Sequence, residues 1–158
     1  MNSLTVARLT VSDRAFQGIY QDQSGPELER VFSTAWNANL AWLPLIVPDE
    51  FDKITGALKG WIEKQIPLIL TTGGTGPSSR DITPEATLAV LKKELPGLGE
   101  AQRWASFPMA PTSILSRAVA GIAGHSLIIN FPGNPKAMRE CLPPLIPAIR
   151  ECLKHLAE

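Results

Sequence analysis

The sequence predicts an α/β fold with a mostly parallel sheet, and three observations carry that expectation. Four short apolar runs are spaced along the chain, amphipathic patterns fill the intervals, and glycine-rich or acidic residues follow each run directly. Near-continuous Leu/Ile/Val runs suit strands covered on both faces, as in parallel sheets. Strands that alternate with helices mark an α/β sheet with right-handed crossovers.

The predicted strands are residues 4–11, 42–47, 67–70 with the threonines that follow, and 126–131. Leu28, Val31, Phe32, Ala35 and Trp36 recur at i, i+3, i+4, i+7, i+8 and paint one helix face. Phe51, Ile54, Leu58 and Ile62 predict a second helix, and Leu88, Leu91 and Leu95 a third. Leu145, Ile149, Cys152, Leu153 and Leu156 predict a last one. Prolines and glycines break this rhythm over residues 96–124, where short helical pieces at 100–105 and 112–119 are expected beside some antiparallel strand. Helix starts are marked by Ser24-Gly25-Pro26-Glu27, a capping box, and by Thr83-Pro84 and Asn134-Pro135, a cap before proline. The four tryptophans, Trp36, Trp42, Trp61 and Trp104, fall at core-compatible spacings.

A chain of 158 residues fits one domain, 1–158, able to bury a core without a disulfide or metal. Its 15 basic and 15 acidic side chains cancel, which argues against a nucleic-acid or anionic-membrane footprint. No apolar run approaches the ~20 residues of a membrane span, and the N-terminus lacks a signal-peptide pattern, so a cytoplasmic protein is expected. Cys141 and Cys152, 11 apart in what reads as one helix, would lie ~16 Å apart along its axis. That separation is too long for a disulfide. Without CxxC, HExxH or a Cys/His cluster, zinc is not expected.

If the four strands are parallel, Ser12-Asp13-Arg14, Pro48-Asp49-Glu50, Thr71 to Asp81 and Pro132-Gly133-Asn134-Pro135 share the carboxyl edge of the sheet, where such sheets bind ligands. Gly73-Gly74-Thr75-Gly76 suits a backbone nest for an anion, or equally a tight strand-exit turn. It is no P-loop, because Ser78 stands where the second glycine is required. A GxGxxG begun at Gly74 ends on Ser79, which disfavours a Rossmann-type oxidoreductase. Asp49 fits a helix cap as well as a magnesium ligand, whereas Asp81, after Arg80 and before Thr83, is harder to explain as a cap. Asp13 and Arg14 could form a local ion pair, and Ser113 to Arg117 reads as helix packing.

Thr10-Val11-Ser12-Asp13-Arg14 and Gly18 to Pro26 resemble the opening of molybdopterin adenylyltransferases of the MogA/MoaB type. Thr71-Thr72-Gly73-Gly74-Thr75-Gly76 with Arg80-Asp81-Ile82-Thr83-Pro84-Glu85 is similar to that family's central signature. Ser116-Arg117 to Gly121-Ile122 and Pro132-Gly133-Asn134-Pro135 are similar to its last two. Departures are small: Phe131 where leucine is usual, and Ser78-Ser79 in a variable stretch.

The resemblance implies a three-layer α/β/α domain, a homotrimer, and transfer of AMP from ATP to the terminal phosphate of molybdopterin, releasing pyrophosphate. It implies catalytic and Mg2+-holding roles for Asp49 and Asp81. Candidate nucleotide- or molybdopterin-binding residues are Ser12, Asp13, Gly73, Gly74, Thr75, Gly76, Thr83, Ser113, Pro132, Gly133, Asn134 and Pro135. The product would pass to a molybdenum-insertion protein. A non-catalytic pterin carrier of the same fold is the rival reading. A phosphate nucleophile needs no general base, in keeping with the lack of histidine or cysteine near the glycine loop in sequence.

Overall fold

A computed structural model describes residues 3–158. In chain order the elements are β1 (Leu4–Val11), α1 (Asp13–Phe16), α2 (Ser24–Trp36), β2 (Leu40–Val47), α3 (Phe51–Glu63), β3 (Leu68–Thr72) and α4 (Thr83–Val90). They continue with β4 (Lys93–Glu94), α5 (Pro96–Ser106), a 3₁₀ turn (Pro111–Leu115), β5 (Ala120–Ala123) and β6 (Ser126–Phe131). The chain closes with α6 (Pro135–Cys141), a second 3₁₀ turn (Pro143–Leu145) and α7 (Ile146–Ala157).

All six strands form one sheet in the order β2-β1-β3-β6-β5-β4. β2, β1, β3 and β6 run parallel, as the sequence predicts, and β5, within the irregular stretch, pairs antiparallel with both β6 and the short β4 that precedes that stretch. Strand alternation divides the core between the two faces. Leu68, Leu70, Leu127 and Ile129 pack with α2, α5, α6 and α7, while Ala7, Leu9, Ile69 and Ile128 pack with α3 and α4. Leu9, Leu70 and Ile129 are fully buried, each worth roughly 1.5–3 kcal/mol. The result is the expected three-layer arrangement. Among the described residues, no helix is long and apolar enough to cross a membrane.

Several local expectations are corrected. α4 stops at Val90 because Lys92 and Leu95 donate their amides to Ile122 and Ala120 of β5, which pulls residues 91–95 out of the predicted third helix. Leu91 and Leu95 consequently pack on opposite faces of the sheet, and Leu88 is exposed. The helix expected over 112–119 is only the first 3₁₀ turn, so Ile114 and Leu115 are exposed rather than packed. The last helix is broken by the Pro143-Pro144 turn, which puts Cys141 and Cys152 on separate helices; both thiols are free.

β2 is an edge strand, and Leu43 and Leu45, 38% and 42% exposed, are not covered by α3. Trp36 and Trp42 pack around Phe32, but Trp104 is 72% exposed. The box at Ser24 is not formed. The carboxylate of Asp22 accepts from the Gly25 amide at 3.0 Å and from the Ser24 hydroxyl, taking the place of the serine cap. Asp22 itself is anchored by the buried Arg8 and by the Thr10 hydroxyl at 2.7 Å.

Candidate active site

The parallel strands bring their four exit loops to one edge. Because β1 lies between β2 and β3, the crossover direction reverses between β1 and β3, the position where open α/β sheets carry their ligand crevice. Ser12 leaves β1 and Gly73 leaves β3 on either side of that switch point. The loops touch: a Cβ on Gly133 would lie 3.3 Å from the Gly73 Cα, and one on Gly74 would lie 3.3 Å from Asp49 Oδ1.

The glycine loop is held from below by buried hydroxyls. Thr72 Oγ1 donates to the Pro132 carbonyl at 2.8 Å, and Thr83 Oγ1 to the Gly73 carbonyl at 2.9 Å. Thr83 is therefore no helix cap, contrary to the sequence reading; it is fully buried under the loop, and a Cβ on Gly74 would collide with its hydroxyl. Gly73 and Gly74 adopt φ of 95° and 67°, a region where any other residue would be strained. The Gly74 and Thr75 carbonyls accept from the amides of Thr83 and Arg117, and the Gly76 carbonyl from Arg117 Nε at 2.9 Å. By contrast, the amides of Gly74, Thr75 and Gly76 donate to no acceptor among the described residues. Carbonyls bound outward with amides left free make an anion nest.

Asp49 does not cap α3. Its Oδ2 accepts from the Asp13 amide and Asp13 Oδ1 accepts from the Asp49 amide, each at 2.9 Å, which leaves Asp49 Oδ1 toward Gly74. Asp13 Oδ2 is gripped by Arg80 through Nε at 3.1 Å and Nη2 at 2.5 Å, so its ion-pair partner is Arg80 and not Arg14. The Arg80 guanidinium holds the Asp13 carboxyl below the usual carboxylate range. Asp49 moves the opposite way: burial pushes it up, and the charges of Asp13 and Asp81 add to that. Asp81 Oδ2 accepts from the Ser78 amide at 3.1 Å and lies 2.7 Å from where a Cβ on Gly76 would stand.

A cavity of about 590 Å³ opens on the β6 side of the glycine loop. That is the size of a small-molecule site. Gly74, Thr75, Gly76, Asp81, Ser113 and the 132–134 loop line it. Ser12, Asp13 and Asp49 lie on the β1–β2 flank, outside its wall, and Gly73, Thr83 and Pro135 are not part of the wall either. Ser12 caps α1 by accepting from the Ala15 amide, and its hydroxyl sits 3.1 Å from the Tyr20 hydroxyl. Ser113 donates to the Arg103 carbonyl at 3.0 Å. Asn134 caps α6 as expected, accepting from the Lys136 amide at 3.0 Å.

Sequence reasoning missed other cavity residues. Lys136 lines the wall and has no acidic partner among the described residues. Its place in the first turn after Asn134-Pro135 was the available signal. Gln102 also lines the wall; its amide donates to the Asn130 carbonyl while Oε1 is buried without a partner. Cys141 also lines the cavity wall. Burial pushes its thiol up to about 12, so it is protonated and not a nucleophile at neutral pH.

Among the described residues, no group of three or more His, Cys, Asp or Glu side chains could hold a metal alone. Asp49 and Asp81, each with an oxygen outside the hydrogen bonds above, fit a different arrangement: Mg2+ held by one or two carboxylates and completed by phosphate oxygens and water.

The family described as "Probable molybdopterin binding domain" matches residues 7–151. The molybdopterin adenylyltransferase of Helicobacter pylori is 49% identical over 154 residues, covering 97% of this chain and 88% of that protein. The molybdopterin biosynthesis enzyme MoaB of Thermus thermophilus superposes with a TM-score of 0.87 at 40% identity, covering 97% of this chain and 96% of that one. The molybdopterin biosynthesis Mog protein of Mycobacterium ulcerans superposes with a TM-score of 0.90 at 37% identity, covering 98% and 99%. Agreement over nearly the whole chain places it in the molybdopterin-binding domain family, as a member of its MogA/MoaB type.

Proposed function

We propose that this protein transfers AMP from ATP to the terminal phosphate of molybdopterin. The observation that carries the reading is the nest itself: three free amides at Gly74, Thr75 and Gly76 between two carboxylates that each present an unoccupied oxygen. An oxygen of the molybdopterin phosphate attacks the α-phosphorus of ATP. The bond from that phosphorus to the bridging β-oxygen breaks, and pyrophosphate leaves with the electron pair. The nucleophile is ionised at neutral pH, so the protein positions two polyanions and offsets their repulsion.

Gly74 to Gly76 bind phosphate oxygens through their amides, and Lys136 supplies a positive charge at the cavity wall. Asp49 and Asp81 hold Mg2+, which when bound neutralises charge developing on the phosphates. Asp49 is suited to this because its carboxylate is desolvated and faces neighbouring negative charge, both relieved by a cation. Asp13, held by Arg80 and the Asp49 amide, braces Asp49.

A homotrimer fits the apolar side chains left exposed, among them Leu43, Leu45, Trp104 and Ile114. A cytoplasmic setting and hand-over of the product to a molybdenum-insertion protein belong to the same reading. The test is pyrophosphate release from purified protein with ATP, Mg2+ and molybdopterin. Release dependent on all three is expected; molybdopterin binding without release would assign a carrier instead.

A further inference from the structure

We infer that Arg117 is a positioning residue whose guanidinium fixes the 76–81 loop and with it the Asp81 carboxylate beside the anion nest, an assignment that rests on the function proposed above. Arg117 reaches the glycine loop from the segment before β5, 41 residues away from Gly76. Its backbone amide donates to the Thr75 carbonyl at 2.8 Å. Nε donates to the Gly76 carbonyl and Nη2 to the Asp81 carbonyl, each at 2.9 Å, and Nη1 pairs with Glu85 on α4. With all three guanidinium nitrogens committed, Arg117 has little left to offer a phosphate directly.

What it does is geometric. A peptide unit is planar, so a carbonyl drawn outward turns the amide of the following residue inward. The Arg117 backbone amide, by holding the Thr75 carbonyl, orients the Gly76 amide, while the guanidinium, by tying the Gly76 carbonyl ahead of Pro77 to the Asp81 carbonyl, sets the span of the loop and fixes the Asp81 carboxylate beside the nest. Ser78 completes the span, donating its amide to Asp81 Oδ2 and accepting from the Asp81 amide at 3.1 Å. A lysine could reach one of these carbonyls but not fork between two, because only the planar guanidinium presents divergent donors in fixed geometry.

The test compares wild type with Arg117→Ala and Arg117→Lys. Amide hydrogen exchange at Ser78, Arg80 and Asp81, the hydrogen-bonded amides of the loop, should quicken about tenfold in both variants, with exchange in β3 and β6 unchanged. In the transfer assay, kcat should fall about 30-fold or more and the Mg2+ concentration for half-maximal rate should rise, while KM for molybdopterin stays within about threefold. Millimolar ethylguanidinium should restore part of the rate to Arg117→Ala and none to Arg117→Lys, whose ammonium fills the space. Unchanged exchange at Ser78, Arg80 and Asp81 overturns the assignment, as does a loss spread evenly over the whole sheet. Exchange needs no turnover, so it decides on Arg117 even if wild type releases no pyrophosphate, a result that counts against the proposed function alone.

Discussion

Asp13 and Asp49 clasp each other, the amide of each donating to the carboxylate of the other at 2.9 Å. The clasp joins the exits of β1 and β2, adjacent parallel strands in register from Leu4–Leu40 to Val11–Val47. It also fixes which oxygen of Asp49 faces the glycine loop.

Replacing Asp13 with Ala removes the acceptor for the Asp49 amide. Leaving a partly buried donor unpaired costs about 1–3 kcal/mol, so urea unfolding should shift by that amount. Asp13→Asn keeps an acceptor and loses only the exposed ion pair with Arg80, a change of at most about 1 kcal/mol. Equal losses in the two variants would refute the clasp.

Asp81→Asn keeps the shape of the loop and removes its charge. Molybdopterin binding should persist while AMP transfer drops by about 2–4 kcal/mol in activation free energy, the usual worth of a lost electrostatic stabiliser. Calorimetric binding alongside pyrophosphate release makes the separation; a parental rate would mean that Asp81 does not hold the metal.

Thr83→Val is close to isosteric and deletes the hydroxyl that donates to the Gly73 carbonyl. With that buried carbonyl stranded, stability should fall by about 1–3 kcal/mol in thermal or urea unfolding. Transfer activity should fall further than the folded fraction does, because Gly73 begins the nest.

Glu27 on α2 accepts from both Arg30 and Arg139, and these guanidinium groups lower its carboxyl to about 2. A folded-state value below the ordinary 4.5 means the unfolded chain binds the proton more tightly. The stabilising contribution is thus complete above pH 4.5 and is lost as the pH falls toward 2. Denaturation at pH 5 and pH 3 should show Glu27→Gln less stable than wild type at the higher pH, with the gap narrowing at the lower.

Cys141, with its thiol pushed up to about 12, should resist thiol reagents in the native protein, while the half-buried Cys152 reacts first. Counting modified thiols before and after denaturation checks this. Rapid native labelling of both would show that the cavity floor opens.

The four parallel strands and their exit loops were legible because each is announced locally: an apolar run, then glycine, proline or aspartate. Asn134 was legible for the same reason, a cap beside its own helix. What stayed hidden was decided at a distance. Thr83 looks like a cap beside Pro84, yet its hydroxyl is drawn to Gly73, ten residues back. Leu91 and Leu95 continue a helical stripe, but β5 captures the backbone amides of Lys92 and Leu95. Trp104 and Leu43 have the residue types and spacing of a core, and only the positions of α3 and α5 leave them uncovered. Arg80 meets Asp13 across 67 residues, a pairing no local pattern encodes.

The near-contact of Gly73 with Gly133 ties together turns that the gene places sixty codons apart. A side chain on Gly133 would need the Gly73 backbone to give way, and one on Gly73 would strike the Val11 carbonyl of β1, so grafting the later turn alone from a distant cousin should be poorly tolerated. It also means that a molecule bridging the two turns braces the middle of the sheet, coupling occupancy to resistance against heat through mass action.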